Sequence, residues 1–86
     1  MLRCAQGEAI RSLRRNIGMA QEELALLTGI NRSYMGRIER GESSITIATL
    51  YRLLPYLRVT FARFAEEFEQ WVCRCKEAQL RYGGKG

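Results

Sequence analysis

Apolar residues along the chain recur three and four positions apart in five stretches, separated by short polar or glycine-containing breaks. The first stretch, Ala9, Ile10, Leu13 and Ile17, predicts a helix over about residues 7–17. Arg11, Arg14 and Arg15 form its basic side, and Gly18 stops it. Residues 1–6 show no such period and read as a loose start. A second helix is expected over residues 21–28, with Leu24, Ala25, Leu27 and Thr28 inward and Gly29 ending it. Glu23 sits where a capping-box acid belongs, but the partner position is Ala20, which has no side-chain acceptor, so this start is weakly capped.

Only Ile30 and Asn31 separate Gly29 from the third helix, which Asn31 caps and Gly41 ends. Met35 and Ile38 point inward together. Ser33, Gly36, Arg37 and Arg40 follow i, i+3, i+4, i+7 and form a second stripe with no large apolar side chain. Two short helices joined by a tight glycine turn make the helix-turn-helix pattern. Residues 41–45 read as a polar loop.

Thr46 caps a fourth helix with Ile47, Leu50, Leu53, Leu54 and Leu57 on its core side. Pro55 removes the hydrogen bond to the Tyr51 carbonyl, so a kink or an early end near Leu54 is expected. Thr60 caps a fifth helix over about residues 61–80. Phe61, Phe64, Phe68, Trp71, Cys75, Ala78 and Tyr82 alternate three and four apart, the repeat of a coiled-coil seam, widened by Ala65 and Val72. The first half of that seam could pack on the first and fourth helices, whereas too little chain is left to cover the second half; this points to a homodimer using Phe61, Phe64, Phe68, Trp71 and Cys75, against a helix folded back on its own monomer. The closing GGKG, residues 83–86, is expected to be disordered. The reading is therefore all-α: a helix-turn-helix domain over residues 7–59 and an extended C-terminal dimerisation helix over residues 60–82.

Charge adds a partner to this picture. The chain of 86 residues carries 14 Lys+Arg against 9 Asp+Glu, a net of +5. Residues 1–58 hold nine basic and five acidic side chains, a net of +4; residues 59–86 hold five and four, a net of +1. The excess lies around the helix-turn-helix, and a pI near 9.6 suits a polyanion. With no histidine and three cysteines, neither a histidine-dependent active site nor a metal site is expected. Cys73 and Cys75 lie about 200° apart on a helix, Cys4 is remote in sequence, and all three read as reduced structural thiols. Glu66, Glu67 and Glu69 read as a solvated face. No signal peptide or membrane-spanning run is visible, so a cytoplasmic protein without cofactor or small-molecule ligand is expected.

The chemistry that remains is double-stranded DNA recognition. A recognition helix enters the major groove with its N-terminal residues against base edges. Arg32 and Arg37 can each donate two hydrogen bonds to guanine O6 and N7, and Ser33 can reach either kind of edge. Gln21 offers an amide to phosphate beside the unpaired N–H groups that open the second helix. Arg40, Ser43 and Ser44 lie just beyond the third helix, where a DNA backbone should pass, and Asn31 is assigned to the same backbone. Gly36 costs about 1 kcal/mol of helix propensity, in exchange either for a close approach of backbone to DNA or for tight packing.

From Ile10 to Val59 the chain resembles the Cro/C1-type helix-turn-helix family of phage repressors and small bacterial regulators. The residues that carry the resemblance are IRSLRR, GMAQEELA, TGI, RSY and IERGE. The resemblance implies a five-helix domain with Gln21 on phosphate, Arg32, Ser33 and Arg37 on bases, and Tyr34 near the backbone. It also implies a structural ion pair between Arg14 and Glu39. RSYMGRIERG followed by SITI and an aromatic-rich fifth helix is further similar to the controller proteins of restriction–modification systems. Ala20, Pro55 and Arg58, where a glycine is common, depart from the family pattern. The expected function is that of a transcriptional regulator binding a roughly palindromic operator as a homodimer. The competing reading is a protein-interaction module, such as an antitoxin that grips a partner through the fifth helix.

Overall fold

A computed structural model describes residues 1–78 and residue 80. It holds five helices: α1 (Leu2–Asn16), α2 (Gln21–Thr28), α3 (Arg32–Glu39), α4 (Ile47–Leu57) and α5 (Phe61–Ala78). No strand occurs among the described residues. The helices start and stop where local chemistry directs. Asn31 Oδ1 accepts from the backbone N–H groups of Ser33 and Tyr34, and Thr46 Oγ1 accepts from that of Thr49. Ala20 offers no such acceptor, and α2 opens without a side-chain cap.

All five helices contribute to one core. Ile10 and Leu13 of α1, Leu24 and Ala25 of α2, Met35 and Ile38 of α3, four leucines of α4 and Phe64 of α5 are buried together. Each large apolar side chain there contributes about 1.5–3 kcal/mol. Arg52 ties α4 to α2 by donating to the Thr28 carbonyl at 2.6 Å, satisfying one of the carbonyls left open at the end of α2.

The packing departs from the periodic reading in several places. Helix α1 begins at Leu2, not near residue 7, and Ala5 and Gly7 are buried within it. Gly7 is where the end of α3 crosses α1: a Cβ there would collide with the Ile38 carbonyl oxygen and lie 2.7 Å from that of Glu39. Ile17 falls beyond the end of α1 and is exposed. Leu27, assigned inward, is exposed, because it lies about 100° around the helix from the centre of the Leu24, Ala25 and Thr28 face. Ile47, assigned to the core side, is exposed, whereas Ile45 in the supposedly polar loop is buried. Helix α4 does not end early but runs through Pro55 to Leu57. Tyr51, whose carbonyl forgoes its partner, is exposed to water, and the buried Leu54 and Leu57 hold the last turn. Arg58 then takes the left-handed conformation, φ 61°, a backbone region that favours glycine.

The fifth helix differs most. It lies along α1 more extensively than along any other element. The extension of α1 over residues 2–6 lies along the second half of the seam, so α5 packs back on its own chain. Phe64 is 5% exposed within the chain's own core, and Phe68 and Trp71 pack against that core. Cys75 faces Cys4 of α1. Of the five residues assigned to a dimer interface, only Phe61 is classed as exposed, and it stacks on Tyr51 at 5.6 Å. Glu67, assigned to a solvated face, is buried, accepting from Trp71 Nε1 at 3.0 Å and from Arg63 at 3.2 Å. Burial pushes its carboxyl up, but hydrogen bonds from Ser12, Trp71 and Arg63 outweigh this and hold it below the usual carboxylate range. Tyr82 and residues 83–86 lie outside the described residues.

Candidate nucleic-acid interface

One buried carboxylate orients the helix-turn-helix. Glu39, in the last turn of α3, has a fully buried side chain. Arg14 of α1 grips it with two hydrogen bonds, Nε to Oε2 at 2.8 Å and a terminal nitrogen to Oε1 at 2.7 Å. The remaining guanidinium nitrogen of Arg14 donates to the Met19 carbonyl, which ties down the turn before α2. Gln21 Nε2, at the start of α2, donates to Glu39 Oε1 at 3.0 Å. Arg11 donates to the Glu39 backbone carbonyl at 2.8 Å. One side chain thus joins α1, the start of α2 and the end of α3. No buried side-chain nitrogen or oxygen lacks a partner among the described residues.

This network changes the role foreseen for Gln21. Its amide is not free: one hydrogen serves Glu39, leaving the second for a ligand. The amide oxygen lies over Gly36, 3.6 Å from where a Cβ would be, and Arg40 approaches the same position to 3.0 Å. Gly36 is therefore a packing point between α2 and α3, buried beneath side chains of the face.

The outward face of α3 and the start of α2 enclose an open concavity of about 700 Å³, lined by Gln21, Glu22, Arg32, Ser33, Gly36, Arg37 and Arg40. It brings together all three residues assigned to base reading. Arg32 and Ser33 are exposed at the first turn of α3, and Arg37 is exposed one turn on. The Arg37 guanidinium lies 5.7 Å from the centre of the Tyr34 ring, which limits the directions it can take. Tyr34 donates its hydroxyl hydrogen to the Ser44 carbonyl at 3.1 Å, pinning the loop after α3 to the helix. Asn31 commits its side-chain oxygen to the cap, leaving its amide nitrogen exposed. Ser43 and Ser44 lie on the loop that Tyr34 holds, outside the residues lining the concavity.

Two acidic residues that the sequence reading did not single out belong to this face. Glu22 pairs with Arg32 at 2.8 Å, and Glu42 makes two hydrogen bonds with Arg40 at 3.0 and 3.2 Å. Hydrogen bonding to Glu42 raises the Arg40 pKa, and the hydrogen bond from Arg40 holds the Glu42 carboxyl below its ordinary value. Both pairs are solvent-exposed, so each is worth little to stability. Of the three arginines lining the concavity, Arg37 alone lacks a carboxylate partner among the described residues. Spacing gave no signal for the Glu22–Arg32 pair, since the two residues belong to different helices and meet only once the turn closes.

The chain is similar to known proteins. A helix-turn-helix family model matches residues 10–64. The HTH-type transcriptional regulator SutR of Escherichia coli (strain K12) is 40% identical over 55 residues, which are 64% of this chain and 31% of that protein. Control protein C.SmaI of Serratia marcescens is 38% identical over 53 residues, 62% of this chain and 63% of its own length. The matched segment thus spans about a third of the first relative and somewhat under two thirds of the second. Among solved structures, the restriction–modification controller protein C.Esp1396I, a tetramer in complex with its natural 35 base-pair operator, superposes with a TM-score of 0.77 at 29% identity. That match covers 85% of this chain and 96% of the other.

Proposed function

Because the chain belongs to the helix-turn-helix family, we propose that it is a transcriptional regulator that binds double-stranded DNA sequence-specifically as a homodimer. The observation that carries the reading is the concavity in which Arg32, Ser33 and Arg37 stand together on a face whose orientation Glu39 holds. Arg32 and Arg37 read guanine edges in the major groove, and Ser33 contacts an adjacent edge. Gln21, Asn31 and Arg40 contact phosphates, while Tyr34 positions the loop bearing Ser43 and Ser44 against the backbone. Glu22 and Glu42 hold the arginines in extended directions before binding and yield them to DNA.

Operator binding by C.Esp1396I and the control-protein relative favour a controller of a restriction–modification system as the specific role. The reading calls for no cofactor, membrane, catalytic group or small-molecule ligand, and it places the protein in the cytoplasm. The homodimer forms through the apolar side that the fold leaves open, where Ile47, Tyr51 and Phe61 are exposed beside a shallow apolar groove bordered by Ala65 and Phe68. Two recognition helices then address half-sites about 34–36 Å apart, one helical turn. The antitoxin-like alternative drew on the aromatic stripe of α5, most of which the chain's own core and α1 occupy.

Selection of bound sites from random DNA, followed by sequencing, tests the reading. A two-fold symmetric motif with half-sites one turn apart is expected. Arg37→Ala should relax preference at one base position and cost about 1–3 kcal/mol, whereas Gln21→Ala should weaken binding to all sequences alike. Uniform weakening by both substitutions would rule out direct readout by Arg37, and a monomer in solution would rule out the dimer.

A further inference from the structure

Outside the candidate interface, the closest approach of two reactive groups is between Cys4 and Cys75. Their sulfurs are 2.9 Å apart although the residues are 71 positions apart in the chain. One lies in the first turn of α1 and the other in the last turn of α5, so two packed helices hold both in place. A disulfide needs the sulfurs about 2.05 Å apart, so closure asks for a movement of about 0.9 Å. Both are reachable: Cys4 is exposed, Cys75 is half-buried, and they border an open concavity of about 390 Å³ with Glu8, Trp71 and Arg74. Cys73 is also exposed, but it sits about 200° around α5 from Cys75 and therefore away from Cys4.

We propose that Cys4 and Cys75 form a reversible intramolecular disulfide when the protein meets a peroxide. The Cys4 thiolate attacks one oxygen of hydrogen peroxide; an S–O bond forms, the O–O bond breaks, and hydroxide leaves and takes up the proton that Cys4 released. The Cys75 sulfur then attacks Cys4 Sγ; the S–S bond forms, the S–O bond breaks, and water leaves with the Cys75 proton. Two thiols lose two electrons and two protons, and the peroxide becomes two waters. Cys4 is the more exposed of the two and is the sulfur that meets the oxidant, whereas burial and the neighbouring Cys4 sulfur push the half-buried Cys75 thiol up to about 11, which leaves it to resolve the intermediate. The product pins the end of α5 to the start of α1. Closing so long a loop removes freedom from the unfolded chain and stabilises the oxidised form.

The test oxidises the full reduced chain with hydrogen peroxide, traps remaining thiols with iodoacetamide and maps tryptic peptides by mass. Cleavage after Arg74 separates Cys73 from Cys75, so the three thiols are read independently. The expected result is one cross-link joining the Cys4 and Cys75 peptides, with Cys73 alkylated and the chain of monomer mass in denaturant. The melting midpoint should rise by about 10 °C or more, reversibly on adding dithiothreitol. Cys73→Ser should leave both results intact, and Cys4→Ser should abolish both. A cross-link through Cys73, a link between two chains, or direct oxidation of Cys4 to sulfinic acid without a cross-link would each overturn the proposal.

Discussion

Helix α3 carries charge on two sides, and the two sides mean different things. On the inner side Glu39 is buried, held by Arg14, Gln21 and Arg11. On the outer side Arg32 and Arg40 pair with Glu22 and Glu42 in full contact with water. The distances are nearly the same, 2.7 Å inside and 2.8 Å outside. What differs is the consequence of losing a partner. Inside, the survivor is a charge cut off from water, so the pair decides the fold. Outside, water or a phosphate takes the vacated place at little cost, so the pairs are exchangeable. A DNA-reading face gains from that difference: the frame stays rigid while the side chains on it change partners.

The sharpest test removes the inner partner. Glu39→Ala should destabilise the protein by about 3–5 kcal/mol, seen as a lower urea midpoint, because the Arg14 guanidinium is left buried and unpaired. A loss below about 1 kcal/mol would mean that the inner pair behaves like a surface pair. Next comes the backbone crossing that places Glu39. Gly7→Ala should cost about 1–3 kcal/mol in the same measurement, since the added methyl meets two rigid carbonyls. An unchanged midpoint would show that α1 can shift away from α3.

The outer pairs should respond in the opposite sense. Glu22→Gln should change stability by less than about 0.5 kcal/mol. It should tighten binding to DNA of any sequence, measured by fluorescence anisotropy at fixed salt, because a carboxylate facing phosphates has gone. Weaker binding would mean that Glu22 itself contacts a base. The smallest effect lies on α5, where Glu67 stands between the two cases. Its carboxyl is held below the ordinary value in the folded chain, so its contribution to stability is fully present above about pH 4.5, the unfolded value. That contribution is lost as pH falls through the lower folded value. Melting curves from pH 6 to pH 3 should therefore fall less steeply for Glu67→Gln than for the parent chain, and parallel curves would place the charge outside the fold's support.

Arg58→Gly offers a local check on the backbone. A left-handed residue with a side chain costs roughly 1 kcal/mol, so the glycine variant should melt a few degrees higher.

The sequence by itself determined the elements and the chemistry of the reading face. Helix periods, the Asn31 and Thr46 caps and the stopping glycines act within a few residues, so they could be read directly. The stripe of Ser33, Arg37 and Arg40 was legible for the same reason, since side chains three and four apart share a face whatever the rest of the chain does. Period alone states that a face will be covered, not by what. Only the tertiary structure decided that residues 2–6 extend α1 along α5, and this turned Phe64, Phe68 and Trp71 toward the chain's own body. It decided that Glu67 is buried against Ser12 and that Glu22 and Glu42 share the reading face. It also brought Cys4 and Cys75, 71 positions apart, to 2.9 Å. Apart from the local Arg40–Glu42 pair, each of these rests on groups far apart in the chain or on different helices, and such meetings follow from how helices cross rather than from any local spacing.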